Sequence, residues 1–522
     1  MTQRPTREPR SAPAVLCLSV LVMAACGIVY ELCVATVSSY LLGNSVWQFS
    51  VTIGLFMAAM GVGSAATRVI PDRSLLSWFI GAEVVLALVG GLSTSLLFFA
   101  FPTGGLYAPV MYALIAVIGV LVGLEIPVVV RVLSGRGGLR RSVADALSFD
   151  YLGGLVGSLA FPLVMLPALG LFRTAAVVGL CNAGVAGATL FAFRREVGRP
   201  KLLAAATLLV AAVLTAGFVA DEWITRKAEG ALYAGRIVVQ EQSPYQHVTV
   251  TRDPRTGEHR LYLDGHVQFA AFDEYRYHEA LVHPAMAYRA TPGAAPPSRV
   301  LILGGGDGLA AREVLRFAGV ESVTLVDLDP AITGLARTFP PLAELNGGSL
   351  DDPRLTVVHD DAFSFVRTAP AASELVPWDR VIIDLPDPHN EALAKLYSVE
   401  FFRLLGRALA PGGAVCVQSG SPWFTPNVFG CTGQTLAAAG FGVVPFRVVV
   451  PAFGPWGFHL ATPDAADASF AWHPTARFLT AETFASARVF PPDVAPRRPG
   501  VNSLFEPILY ALYESDVRRA RP

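Results

Sequence analysis

The hydrophobic pattern of the chain changes character near Ala220. Upstream, apolar runs recur at 13–35, 48–67, 76–100, 107–130, 151–170, 172–193 and 202–220. Each approaches or exceeds the roughly 20 residues that carry a helix across a hydrocarbon core. The first is too long, and followed by too many others, to be a cleaved signal peptide. Glycine and alanine are frequent in these runs, as in Gly61-Val62-Gly63-Ser64-Ala65-Ala66 and Gly153-Gly154-Leu155-Val156-Gly157. Small residues let helix backbones approach closely in lipid. The pattern predicts a packed bundle of about seven helices over 13–220, after a basic tail at 1–12.

Downstream the runs shorten and alternate. Residues 236–240, 246–251 and 260–264 read as strands, with a turn at Asp253-Pro254-Arg255-Thr256-Gly257. A helix is expected over 273–289 and a breaker-rich linker over 291–298. From Arg299 strand and helix alternate: strands at Val300–Leu303, Ser322–Val326, Leu355–Val358, Arg380–Ile383 and Ala414–Gln418, with helices such as Ala310–Phe317 and Val399–Ala408 between them. That alternation implies a parallel sheet covered by helices on both faces. The expected organisation is a multi-pass α-helical membrane domain, then a small antiparallel β unit with a connecting helix over 221–295. An α/β Rossmann-like, methyltransferase-type domain follows over 296–522.

Composition agrees with a split chain: 53% of residues are hydrophobic and only 16% charged. The formal net charge of −1 offers no basic field for nucleic acid. The six cysteines, Cys17, Cys26, Cys33, Cys181, Cys416 and Cys431, form no C-x-x-C pair and no zinc-type cluster, so no metal is expected. Arginines gather before the first span (Arg4, Arg7, Arg10) and after the second, fourth and sixth. This puts the N-terminus inside. Seven spans would then leave the second half outside, whereas a cytosolic co-substrate calls for the opposite side. The expected location is the cell membrane, with the side faced by the second half left open. Four carboxylates, Glu31, Glu83, Glu125 and Asp150, sit in or beside the spans, and Glu31 and Glu125 lie deepest in their runs. An acid at that depth marks a functional site unless it serves a structural hydrogen bond.

The sharpest chemical signal is Val300-Leu301-Ile302-Leu303-Gly304-Gly305-Gly306-Asp307-Gly308, which closes a strand and opens a helix. Gly304 and Gly306 permit a tight turn and close approach of a ligand. Asp327, about 20 residues on, ends the next strand and is placed to bind a ribose diol. Asp307 inside the loop would repel a pyrophosphate. It favours a nucleoside with a cationic tail, such as an adenosyl sulfonium. His359-Asp360-Asp361-Ala362 ends the third strand, where Asp361 can accept an adenine amine or cap the following helix. Asp384 and Asp387 lie in the loop after the fourth strand. Four loop-end acids on one rim suit a polyamine. Asp384 is placed to take a proton from an attacking amine, and Asp387 to anchor a substrate ammonium.

These motifs together resemble the spermidine synthases over Gln242–Leu460. Ser243-Pro244-Tyr245-Gln246 is similar to the family's S-x-Y-Q, and Leu263-Asp264-Gly265-His266-Val267-Gln268 to L-D-G-x-x-Q. Asp273-Glu274-Tyr275-Arg276-Tyr277-His278-Glu279 is similar to D-E-x-x-Y-H-E, and the glycine loop with Arg312-Glu313-Val314 to G-G-G-D-G followed by R-E-V. Asp384-Leu385-Pro386-Asp387-Pro388 is similar to D-x-x-D-P. The resemblance implies transfer of the aminopropyl group of decarboxylated S-adenosylmethionine, a co-substrate and not a resident cofactor, to putrescine or a related small amine. The products would be spermidine and 5′-methylthioadenosine. It further implies that Gln246 and Asp327 hold the nucleoside, Asp361 and the Ala362 backbone the adenine, and His278 and Asp307 the polyamine. Tyr277 would position the amine, and Asp384 would accept the proton. Relatives assemble as homodimers or homotetramers, and membrane-fused members exist, so a lipid bilayer is an expected partner.

Two departures bear on the acceptor. His389-Asn390-Glu391-Ala392 stands where the family often has Gly-Pro-Ala, and Pro451-Ala452-Phe453 where it often has Pro-Thr-Tyr. Phenylalanine cannot supply the hydroxyl. Two other readings of the same residues are an S-adenosylmethionine methyltransferase, which Asp307 disfavours, and a membrane transporter or sensor whose second half binds a polyamine.

Overall fold

The computed structural model describes residues 12–42, 45–101, 105–137, 139–220, 233–368, 377–463, 469–473 and 475–520. The expected basic tail falls almost wholly outside them, as does the whole segment from 221 to 232. The chain divides into two compact units, Met1–Ala234 and Gly235–Pro522.

The first unit is helical: α1 Ala12–Leu42, α2 Ser45–Ala66, α3 Leu75–Ala100, α4 Tyr107–Gly137, α5 Leu139–Ala160, α6 Leu166–Ala192 and α7 Pro200–Val219. The expected spans at 151–170 and 172–193 meet at a kink rather than at a loop. A π-helical stretch, Phe161–Met165, joins α5 to α6, and the backbone leaves helical geometry only at Gly170, with φ of 71°. A glycine bends the run there without a loop. Six stretches of the described residues are therefore long and apolar enough to cross a membrane, Leu139–Ala192 counting as one. Close packing rests on small residues: a Cβ on Gly63 would stand 2.0 Å from the carbonyl oxygen of Val120, and one on Gly123 2.1 Å from that of Met60. Helices α2 and α4 meet backbone to backbone there. Arg131 of α4 donates to the carbonyls of Thr67 and Ile70 at 2.7 and 2.9 Å and pairs with Asp72, which satisfies the end of the α2 segment.

The second unit opens with a four-stranded antiparallel sheet, β1 Arg236–Gln242, β2 His247–Arg252, β3 His259–Leu263 and β4 His266–Ala270, in sequential order. Val248, Val250, Leu261 and Phe269 bury one face against Leu309, Ile332 and Leu342. Helix α8, Glu274–Ala287, follows.

The main sheet has seven strands: β5 Arg299–Gly304, β6 Ser322–Asp327, β7 Leu355–His359, β8 Trp378–Asp384, β9 Leu409–Gln418, β10 Gly442–Val450 and β11 Gly454–Thr462. Their order is β10-β11-β9-β8-β5-β6-β7. The five expected strands pair in parallel, but the sheet as a whole is mixed, because β11 runs antiparallel to both β9 and β10. These two strands were not anticipated. They form a hairpin closed by Phe453 N–H donating to Val450 O at 3.1 Å. From β5 the chain winds outward through β6 and β7, then returns to the other side of β5 with β8. The strand order reverses between β5 and β8, and ligands of such sheets sit outside the carboxyl ends of strands at that reversal.

Candidate active site

Gly304 pairs with Asp384 across the β5/β8 boundary. A Cβ on Gly304 would lie 2.0 Å from the carbonyl oxygen of Asp384, and its φ of 80° is a left-handed conformation. Only glycine lets the two strand ends meet this closely. The loop then turns into helix α9, Leu309–Leu315, and Asp307 accepts from the Leu309 N–H at 2.9 Å.

Five sequence-predicted residues come together at this reversal. Tyr277 of α8 donates its phenol to Asp384 Oδ1 at 2.8 Å. His278, next on α8, is within electrostatic reach of Asp307 and Asp384, and Tyr277 of Asp387. Burial pushes Asp307 and Asp387 each up to about 6, and His278 partly offsets this for Asp307. Asp384 is raised by burial, against the opposing pull of His278 and Tyr277. Burial alone would lower His278. Its hydrogen bond to Glu274 at 2.8 Å, with Asp307 and Asp384 nearby, outweighs that and carries it to about 9. Near neutral pH the site thus holds one imidazolium among carboxyls. Burial holds the Tyr277 phenol well above its ordinary range, so it stays a donor.

The other predicted residues line the neighbouring strand ends. Asp327 accepts the Gly306 N–H at 2.9 Å with one oxygen and the Asp329 N–H at 2.9 Å with the other. Gln246 donates to Asp329 Oδ2 at 2.9 Å, as does Ser243 at 2.6 Å. Asp361 caps the helix beginning at Ala362 by accepting from Ser364 N–H at 2.9 Å, and its other oxygen takes Lys395 Nζ at 2.8 Å. Burial would raise Asp361, but Lys395 and Ser364 hold it below the ordinary carboxylate value.

Several contributors were missed. Arg312 forks onto Glu274 with two bonds of 2.9 Å, fixing the carboxylate that holds His278. Both residues lie in quoted motifs, but only the fold joins them. Lys395 and Asp329 were not singled out. At the β10/β11 turn, Phe453 packs edge-on to Tyr277 and Trp456, with ring centroids 6.0 and 4.8 Å apart. His389 of the divergent loop stacks on His266 of β4 at 4.8 Å.

The strand reversal thus gathers the buried acids Asp307, Asp384 and Asp387 around Tyr277 and His278, with Asp327 at the neighbouring strand end. The family described as "Spermine/spermidine synthase domain" matches residues 274–468. The chain is 48% identical to polyamine aminopropyltransferase 1 of Streptomyces coelicolor, over 93% of this chain and 91% of that one. It is 44% identical to polyamine aminopropyltransferase 2 of Ralstonia nicotianae, over 96% and 98%. The crystal structure of spermidine synthase from Thermotoga maritima is 26% identical over 49% of this chain and 85% of that chain, with a TM-score of 0.43. The chain belongs to the polyamine aminopropyltransferase family and is an enzyme of that kind. These relatives favour neither the methyltransferase nor the transporter reading.

Proposed function

We propose that the chain transfers the aminopropyl group of decarboxylated S-adenosylmethionine to putrescine, giving spermidine and 5′-methylthioadenosine, with Asp384 as the proton acceptor. The observation that carries this reading is the meeting of Asp307, Asp384 and Asp387 with Tyr277 and His278 at the β5/β8 reversal. In the reaction the amine nitrogen attacks the carbon next to the sulfonium. That C–N bond forms as the C–S bond breaks, and its electron pair neutralises the sulfur as a thioether. The proton leaving nitrogen goes to a carboxylate oxygen of Asp384. Tyr277 holds that carboxylate in place, and Asp387 and Asp307 take the ammonium groups. Asp327 and Gln246 serve the ribose side, Asp361 and the Ala362 backbone the adenine. Orientation and fixed charge supply most of the rate in such a displacement.

The helical unit is read as a multi-pass anchor in the cell membrane, on the strength of six helices of sufficient length and apolarity.

The test is a product assay on the full-length protein with decarboxylated S-adenosylmethionine and putrescine, cadaverine, agmatine or spermidine. Methylthioadenosine and an aminopropylated diamine are expected, with putrescine preferred. Asp384→Asn should lower kcat by roughly 100- to 10,000-fold. Full activity in that variant would remove Asp384 from the role of base.

A further inference from the structure

The helical unit contains a polar cluster that the transferase chemistry does not use. Glu83 of α3 is 0% exposed and Glu125 of α4 is 4% exposed. Each sits in the interior of a long apolar helix. Their carboxyl groups face one another closely enough to interact, with Asp150 of α5 near Glu125. The two carboxyls are within hydrogen-bond reach of one another when they share a proton, but beyond that mutual contact neither oxygen of Glu83 has a partner, nor does Oε1 of Glu125. Among the described residues no basic side chain is paired with either.

Two neutral groups lie near the pair. Gly179 of α6 packs on α3, where an added Cβ would meet the Ala87 carbonyl oxygen at 2.7 Å. One turn along α6 is Asn182 and one turn back along α3 is Glu83, which these oppositely running helices bring to the same level. Asn182 is 0% exposed, and both its amide nitrogen and its oxygen lack partners. Tyr30 of α1 is 0% exposed with an unpartnered hydroxyl, its ring seated against Gly90 of α3 and within electrostatic reach of Glu83. Cys26, one turn before it, lies 3.8 Å from the Val178 carbonyl of α6.

Unmade hydrogen bonds of this kind cost roughly 1–3 kcal/mol each, and more for an ionised group. Two buried carboxyls without a counter-charge are stable only when protons or a cation neutralise them. We propose that Glu83, Glu125 and Asn182 form a cation site in the helical unit that takes the ammonium group of a protonated primary amine in exchange for a proton. An ammonium has three N–H donors and no acceptor. The cluster offers three matching acceptors: two carboxyls and the Asn182 carbonyl oxygen. The choice of an amine over other cations rests on the function proposed above, whereas the site itself follows from the buried, unpartnered acceptors.

The test is equilibrium binding of radiolabelled putrescine and spermidine to detergent-solubilised full-length protein. An Asp384→Asn/Asp387→Asn background removes the transferase site. One equivalent of amine should remain bound in that background. Glu83→Gln with Glu125→Gln should weaken it at least tenfold, while the same pair in the otherwise wild-type chain leaves aminopropyl transfer unchanged. Asn182→Val, which keeps both acids, should weaken it severalfold and serves if the double variant does not fold. No amine bound in the background variant, or binding indifferent to Glu83, Glu125 and Asn182, would overturn the proposal. Binding that depends on these residues, with no aminopropyl transfer by the wild-type chain, would uphold the site and sink the enzymatic reading instead.

Discussion

The phenol of Tyr277 donates to Oδ1 of Asp384 at 2.8 Å, joining residues 107 positions apart in sequence. The bond fixes one carboxylate oxygen and leaves the other free to meet an amine. It also lowers the proton affinity of Asp384, against the burial that raises it. Tyr277→Phe removes a hydrogen bond to a charged group, worth about 1.5–3 kcal/mol. The expected result is a loss of roughly 10- to 100-fold in kcat/KM. With its stabilising donor gone, Asp384 takes up a proton more readily, so the acid limb of the pH profile should move to higher pH. An unshifted limb with reduced kcat/KM would reduce Tyr277 to a packing role.

His278 stands as a cation among these acids, and Glu274 keeps it so. Because Glu274 raises His278 to about 9, Glu274→Gln should let it fall toward the ordinary value near 6.5. The imidazolium would then be lost at lower pH. The alkaline limb of kcat/KM should move down, and Asp307 and Asp384, deprived of the cation, should protonate at higher pH. A pH profile narrowed from both sides is the expected signature. A profile of unchanged width would show that the charge on His278 does not matter to turnover.

The strand-end acids were legible because their signals are local. A glycine loop closes an apolar strand, and each following strand ends on an aspartate. What escaped reading depends on which groups the fold brings together. Lys395 reaches Asp361 across 34 residues, and Arg312 reaches Glu274 across 38. The hairpin of β10 and β11 was hidden for two reasons: β11 is buried on both faces from Gly457 to Thr462, and β10 is apolar at exposed Val449 as well as at buried Val448 and Val450, so no alternation of residue type marks either. In the helical unit, depth along an apolar run pointed to Glu31 and Glu125. The fully buried partner of Glu125 is Glu83, because the face a helix turns to its neighbours is set by packing.

The Gly304–Asp384 contact gives a steric prediction. Gly304→Ala would place a methyl 2.0 Å from a carbonyl oxygen at a φ of 80°. The left-handed backbone alone costs about 1–2 kcal/mol for a residue with a Cβ, and the clash forces the β5 and β8 ends apart. Transfer activity should fall by at least 100-fold, with a clear loss of affinity for methylthioadenosine by calorimetry. Retention of both would mean the strand ends can separate without cost to the site.

Glu313 should govern acid stability of the second unit. It is buried, accepts from His283 Nε2 at 2.8 Å and from Arg316 at 2.7 Å, and pairs with Arg312. Burial would raise its pKa, but His283, Arg312 and Arg316 outweigh that and bring it down to about 2, from an ordinary 4.5. A depressed carboxylate contributes stability that is complete above its unfolded pKa and is lost as pH falls through the folded one. The share due to Glu313 is therefore present above about pH 4.5 and should drain away toward pH 2. Glu313→Gln should cost about 3 kcal/mol at neutral pH. Residual activity after heating, measured from pH 7 down to pH 3, should show the gap between variant and wild type closing as the pH falls. A constant gap would assign the loss to packing.

Phe453 is the departure most open to repair. Its ring lies edge-on to Tyr277 at 6.0 Å and to Trp456 at 4.8 Å. A tyrosine at 453 would add a hydroxyl to a ring that packs on Tyr277, the residue whose own hydroxyl reaches Asp384. One added neutral hydrogen bond is worth about 0.5–1.5 kcal/mol. Phe453→Tyr should thus lower the KM for the preferred acceptor amine by roughly two- to tenfold, with kcat changed less. The gain should be larger for amines whose far nitrogen reaches the β10/β11 turn, because only those present a donor there. Measuring kcat and KM for putrescine, cadaverine and agmatine in both proteins separates the cases. A uniform change across all acceptors would place residue 453 on the nucleoside side, and no change would show that its ring only packs Tyr277.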